Sequence, residues 1–140
     1  RGNSENYLDS DNSYINKVLE RKTGIPVTLS VVYLLIAKRL GIPVFGINLP
    51  GHFILKYTGG TEEYFIDPFN NGIIISVKEA AEFIENIGMT NEDFKNIPYL
   101  KPATDKEIVL RVIRNLIEVY TKGNDFNKSR QLENLTLCFA

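Results

Sequence analysis

The sequence predicts an α+β fold in which helices come first, an antiparallel sheet follows, and helices return. Three observations predict it. Residues 27–40 are apolar on nearly every side, the pattern of a buried central helix rather than a surface one. Residues 44–75 hold short β-like runs punctuated by Pro50-Gly51 and Gly59-Gly60. Two capping boxes, Ser76-Val77-Lys78-Glu79 and Thr104-Asp105-Lys106-Glu107, open later helices.

The elements follow in order. Residues 9–22 form a short amphipathic helix, with Asn12 or Ser13 to cap it, Ile15, Val18 and Leu19 as its apolar stripe, and Gly24 to end it. Pro26 suits the first turn of the next helix, where its missing N–H is not needed. Lys38 and Arg39 suit that helix's C-terminal end, and Gly41 stops it. Strands are expected at residues 44–49, 52–58, 62–67 and 73–75. The Ser76 box opens a helix that stops near Gly88. The Thr104 box opens a longer one with Ile108, Val112, Leu116, Val119 and Tyr120 apolar, ending before Gly123. Asp125 can cap a last helix containing Phe126, Leu132, Leu135 and Leu137.

The chain of 140 residues suits one compact unit, and 44% apolar content is enough for a core. A formal charge of -1 and a pI near 5.9 leave no electrostatic footprint for nucleic acid or an anionic membrane. The longest apolar run, residues 31–37, is too short to cross a bilayer. Cys138 is the only cysteine, so no intrachain disulfide can form, and a reducing cytoplasmic setting is the expectation. One histidine, one distant cysteine and Asp67 do not make a zinc set, so neither metal nor cofactor is expected. Asp67, Asn70 and Asn71 could bind a hard cation weakly, but residues 68–72 are more simply read as a turn.

Gly59-Gly60 predicts a two-residue hairpin turn. Thr58 would then face Thr61, Lys56 would face Glu63, Ile54 would face Phe65, and His52 would face Asp67. Directly opposed Cβ atoms lie roughly 4.5–5.5 Å apart. Asp67 could then accept a hydrogen bond from one imidazole nitrogen, fix the tautomer and leave the other nitrogen as a base. A structural pair satisfying two polar groups is the plainer reading of the same geometry.

Several spaced motifs carry a resemblance: Thr23-Gly24-Ile25-Pro26-Val27-Thr28-Leu29-Ser30, then Leu40-Gly41-Ile42-Pro43, then Pro50-Gly51-His52-Phe53, then Ile66-Asp67-Pro68. In order and spacing the chain resembles the transglutaminase-like superfamily, and within it the SirB-type bacterial branch. The resemblance runs from about Tyr7 to about Ala103. It implies a papain-like core, residues 1–103, with a central helix packed on an antiparallel sheet. It also implies a tetratricopeptide-like helical segment, residues 104–140, on Asn115, Leu116, Tyr120, Gly123 and Asp125.

Active members of this superfamily carry a cysteine at the start of the central helix, activated by the helix N-terminus and a histidine. His52 and Asp67 match the histidine and aspartate positions. The cysteine position falls at or next to Pro26, which has neither nucleophile nor N–H. Thr28 and Ser30 lie in the first turns of the helix, where an alcohol's simpler role is local hydrogen bonding. Cys138 lies far along the chain and is expected to be a small buried hydrophobe. Three functions follow as expectations: a non-catalytic module that binds a protein or peptide partner, an acyl-transferring or amide-hydrolysing enzyme using Thr28 or water, and a helical interaction scaffold.

Overall fold

The computed structural model describes residues 1–61, 63–86 and 101–139. A 3-10 turn, Ser10–Asn12, leads into α1 (Ile15–Arg21). The helix expected from residue 9 is therefore two elements. Neither Asn12 nor Ser13 caps α1: its N-cap is Tyr14, with no side-chain bond, while Asp9 caps the 3-10 turn. Asn12 is instead fully buried, and its amide tethers the N-terminal segment. Its Nδ2 donates to the carbonyls of Asn6 at 2.8 Å and Tyr7 at 3.3 Å, and its Oδ1 accepts from Asn3 Nδ2 at 3.0 Å. α1 stops at Lys22, which takes the left-handed conformation before Gly24 is reached, and Leu19 is exposed rather than part of the stripe.

α2 (Pro26–Leu40) begins on Pro26 and ends at Gly41, whose φ of 67° supplies the left-handed cap. Its burial is graded. Residues 26–30 are buried, whereas Leu35, Ile36 and Leu40 are 55%, 54% and 67% exposed. Burial is thus continuous over the first turns of the helix, and in its C-terminal half only Ala37 is buried.

The sheet has four antiparallel strands in the order β1 (Val44–Leu49), β2 (His52–Tyr57), β3 (Tyr64–Asp67) and β4 (Ile73–Ile75). Its two-residue turn is Pro50-Gly51, not Gly59-Gly60. Leu49 pairs directly with His52 across it, and Gly51 adopts φ 72°. Proline followed by a positive-φ glycine is the combination a type II turn uses.

The β2–β3 register corrects the expected one. Tyr57 pairs with Tyr64, Lys56 with Phe65 and Leu55 with Ile66, so the connection runs from residue 58 to residue 63. Every expected pair is displaced by two residues. The Thr58 N–H is taken by Pro43 O at 3.1 Å, and Tyr57 stacks on Tyr64 with centroids 6.5 Å apart, which closes the ladder earlier. Lys56 still reaches Glu63 at 2.9 Å, diagonally rather than straight across.

α3 (Val77–Asn86) follows β4 and opens on Ser76 and Glu79, whose side chains bond each other's backbone N–H groups. The stop expected near Gly88 lies outside the described residues. α4 (Asp105–Lys122) opens on the full Thr104–Glu107 capping box, and α5 (Phe126–Leu137) on Asp125. α4 packs on the core: Ile108 and Val112 join Ala103 against a buried cluster of Ile25, Val27 and Phe53. Tyr120 Oη lies 2.8 Å from Tyr14 Oη. Cys138 is exposed at the C-cap of α5 rather than buried.

Candidate functional site

The site forms where β2 begins and β3 ends. The strand register places Ile54 directly opposite Asp67, so His52 lies two residues further along the same face. Diagonal neighbours in a ladder stay within reach of long side chains. The hydrogen bond is accordingly made: His52 Nε2 lies 2.8 Å from Asp67 Oδ2, and the two residues are 7% and 4% exposed.

Asp67 is held from every side. Oδ1 accepts the N–H groups of Phe69 at 3.0 Å and Asn70 at 3.2 Å, and Oδ2 accepts Asn70 Nδ2 at 2.8 Å in addition to His52. Burial pushes its carboxyl pKa up, but the bonds and charge from His52 and the bonds from Asn70 outweigh this, and the net value lies below the usual carboxylate range. An ionised carboxylate only accepts, so Nε2 carries the proton, and Nδ1 is the basic nitrogen of the neutral ring. The imidazole also meets Phe69 edge-on, with centroids 6.2 Å apart, and Phe69 meets Tyr7 at the same separation. Phe69 is clamped by the N-terminus: Gly2 N–H donates to Phe69 O at 2.9 Å, and a Cβ on Gly2 would lie 2.6 Å from the ring.

The other sequence candidates sit on the first turns of α2. Pro26 is buried at the first helical position, between Ile25 and Val27, which pack on the Phe53 adjacent to His52. Thr28 is fully buried, and its Oγ1 lies 2.6 Å from Asn12 O and 3.1 Å from Ile25 O, so its hydroxyl proton is directed at carbonyls. Ser30 is also fully buried, and its Oγ has no hydrogen-bond partner among the described residues. Among the described residues no group of three or more His, Cys, Asp or Glu could hold a metal ion, and no helix is long and apolar enough to cross a membrane.

The sequence of the chain matches known proteins. The family model described as the transglutaminase-like superfamily matches residues 1–114. The chain belongs to the transglutaminase-like superfamily. A UPF0162 protein of Xylella fastidiosa is 35% identical over 130 residues, covering 91% of this chain and 46% of the relative. Human F-box only protein 21 is 32% identical over 141 residues, covering 94% of this chain and 21% of the relative. A UPF0162 protein of Vibrio cholerae is 39% identical over 74 residues, covering 52% of this chain and 27% of the relative. The chain thus spans about half the length of the Xylella relative, and about a fifth of the human one. No solved structure gives a match. The superfamily match ends within α4, past the residue 103 boundary expected for the core.

Sequence reasoning missed three residues of this region. Asn70 stands three residues after Asp67 in a Pro-Phe-Asn-Asn-Gly turn, a spacing that suits side-chain-to-backbone bonding and could have been read. Tyr7, whose ring meets Phe69, and Arg111, whose Nη1 donates to Asn48 Oδ1 and Leu49 O beside the β1–β2 turn, had no such signal, because each comes from a distant segment.

Proposed function

We propose that this transglutaminase-like domain is a non-catalytic module that binds a protein or peptide partner at the His52–Asp67 end of the sheet. The carrying observation is Pro26 at the first position of α2, where the family's thiolate would need a cysteine at a helix N-terminus. Two further observations support it. The hydroxyl of Thr28 is buried and directed at two carbonyls, and Cys138 sits at the C-cap of α5, at the other end of the chain. In this reading Asp67 acts mainly as a clasp that binds the 67–70 turn to the imidazole, and the surface so formed is the functional part.

A thiol-directed probe should label Cys138 alone, with labelling unchanged in His52→Ala. Labelling at any catalytic rate that depends on His52 would sink the reading. Partner capture should weaken in His52→Ala while the amide NMR spectrum of the sheet persists.

One observation favours a second reading. The buried 2.8 Å bond from Nε2 to Asp67 is the orientation that an imidazole base needs. In that reading a water attacks the carbonyl carbon of an amide or ester, His52 takes its proton while Asp67 stabilises the imidazolium, and the imidazolium then gives that proton to the amine or alcohol that leaves as the C–N or C–O bond breaks. An amine-incorporation and peptide-hydrolysis screen separates the two: turnover by the wild type that is abolished in His52→Ala selects the enzyme.

A further inference from the structure

Arg111 on α4 carries a half-buried charge that no carboxylate among the described residues meets in an ion pair. Its Nη1 donates to Asn48 Oδ1 at 3.1 Å and to Leu49 O at 3.4 Å, both neutral acceptors. Glu118 lies within electrostatic range but is engaged by Lys122 at 2.6 Å. Burial pulls the Arg111 pKa down and the Arg114 charge nearby adds to that, with Tyr7 and Glu118 opposing it only in part. A half-buried cation without an ion-paired carboxylate is costly to hold, which is how a site built for an anion differs from a structural ion pair.

The geometry of the guanidinium says which anion. Nη1 is the nitrogen on the Cδ side, so both of its hydrogen bonds leave the opposite edge untouched. The Nε–H and Nη2–H on that edge are parallel, and no group among the described residues takes them. A parallel pair of N–H donors matches the two oxygens of a planar carboxylate.

The position is equally informative. Leu49, which Arg111 grips, is the direct strand partner of His52. Tyr7 lies within electrostatic range of Arg111, and its ring meets Phe69, which in turn meets His52. Tyr7 and Phe69 thus stand as an aromatic wall between the cation and the dyad.

We propose that the Nε–Nη2 edge of Arg111 receives a carboxylate of a peptide ligand, and that the Tyr7–Phe69 wall seats the segment leading from it to His52. This rests on the binding-module reading for its choice of ligand, but its test does not pass through the dyad. The carboxylate can come from an acidic side chain or from a chain terminus.

The test is an NMR titration of the 15N-labelled chain. The Arg111 Nε–H resonance is assigned by its loss in Arg111→Lys. Probes are sodium acetate, inorganic phosphate, an amidated peptide with one internal Glu, and a peptide without acidic side chains ending in a free carboxylate. Sodium chloride at matched ionic strength is the control. Saturable movement of the Arg111 Nε–H and of the Asn48 and Leu49 amides with acetate, beyond that with chloride, is expected. One of the peptides should saturate at lower concentration than acetate, and which one does identifies the source. Arg111→Lys keeps the charge without the fork and should weaken binding about tenfold, read on the Asn48 and Leu49 amides. Equal effects of chloride, tighter binding of phosphate, or unchanged affinity in Arg111→Lys would overturn the proposal. The wild-type titration stands even where the variant fails to fold. Carboxylate binding that persists in His52→Ala while partner capture is lost separates this site from the dyad.

Discussion

His52 bonds Asp67 diagonally across two strands, with Ile54 and not His52 directly opposite the carboxylate. The pair is thus set by side-chain reach and by the 67–70 turn as well as by the ladder. Four hydrogen bonds converge on the Asp67 carboxylate, so removing it leaves the buried His52 donor and three part-buried donors of the 69–70 turn without that acceptor.

Asp67→Ala should cost about 3–5 kcal/mol, the range for breaking a buried pair by removing one partner. Asp67→Asn keeps one acceptor oxygen and should cost about 1–2 kcal/mol. Urea denaturation at neutral pH measures both, and equal losses would show that the charge of the carboxylate, rather than its shape, carries the stabilisation at this position.

The acid limb of stability should carry the mark of Asp67. Its folded pKa is depressed, because hydrogen bonds from His52 and Asn70 outweigh the effect of burial. The stabilisation is present above the unfolded value of about 3.9 and is lost as pH falls through the folded pKa. Urea midpoints followed from pH 7 downward should therefore fall more steeply below about pH 4 in the wild type than in Asp67→Asn.

At the alkaline end, the Tyr14–Tyr120 contact should dominate. Burial, and then the hydrogen bond that the Tyr14 hydroxyl shares with Tyr120, push the Tyr14 phenol up to about 12 from 10.0. A raised phenol pKa favours the neutral folded form, so its stabilisation holds below about pH 10 and fades as pH rises through the folded pKa. Tyr120→Phe should cost about 0.5–1 kcal/mol at neutral pH and flatten this alkaline decline, measured by denaturation at several pH values.

Two glycines should fail for different reasons. An added Cβ at Gly46 would meet Phe53 Cζ at 2.7 Å, so Gly46→Ala should cost about 1–3 kcal/mol by overpacking. Gly51 has open space around it but φ 72°, so Gly51→Ala should cost about 1 kcal/mol through backbone strain alone. Phe53→Leu in the Gly46→Ala background should recover stability, while no side-chain change should rescue Gly51→Ala. Thermal denaturation of the double variant decides it.

Much of the site was legible. His52 and Asp67 were recognisable as one unit because they flank a turn and alternate onto one face. The offset between them was not legible. Gly59-Gly60 looks like a tight turn, but the Thr58 N–H bonds to Pro43, a residue ahead of β1, and nothing within the hairpin's own sequence announces that competitor. Asn12 had the look of a helix cap, yet the tertiary structure uses its amide to hold residues 3–7.

Sequence by itself determined the order of elements, the helix starts at Pro26, Thr104 and Asp125, and the shared face of His52 and Asp67. Those features depend on local capping and on the parity of strand alternation, and an error of two residues leaves parity untouched. Only the tertiary structure decided that the pair is diagonal, that α2 is continuously buried over its first turns, and that Arg111 stands beside the β1–β2 turn. These depend on which distant donor reaches which acceptor once the chain has closed, and no spacing along the sequence encodes that choice.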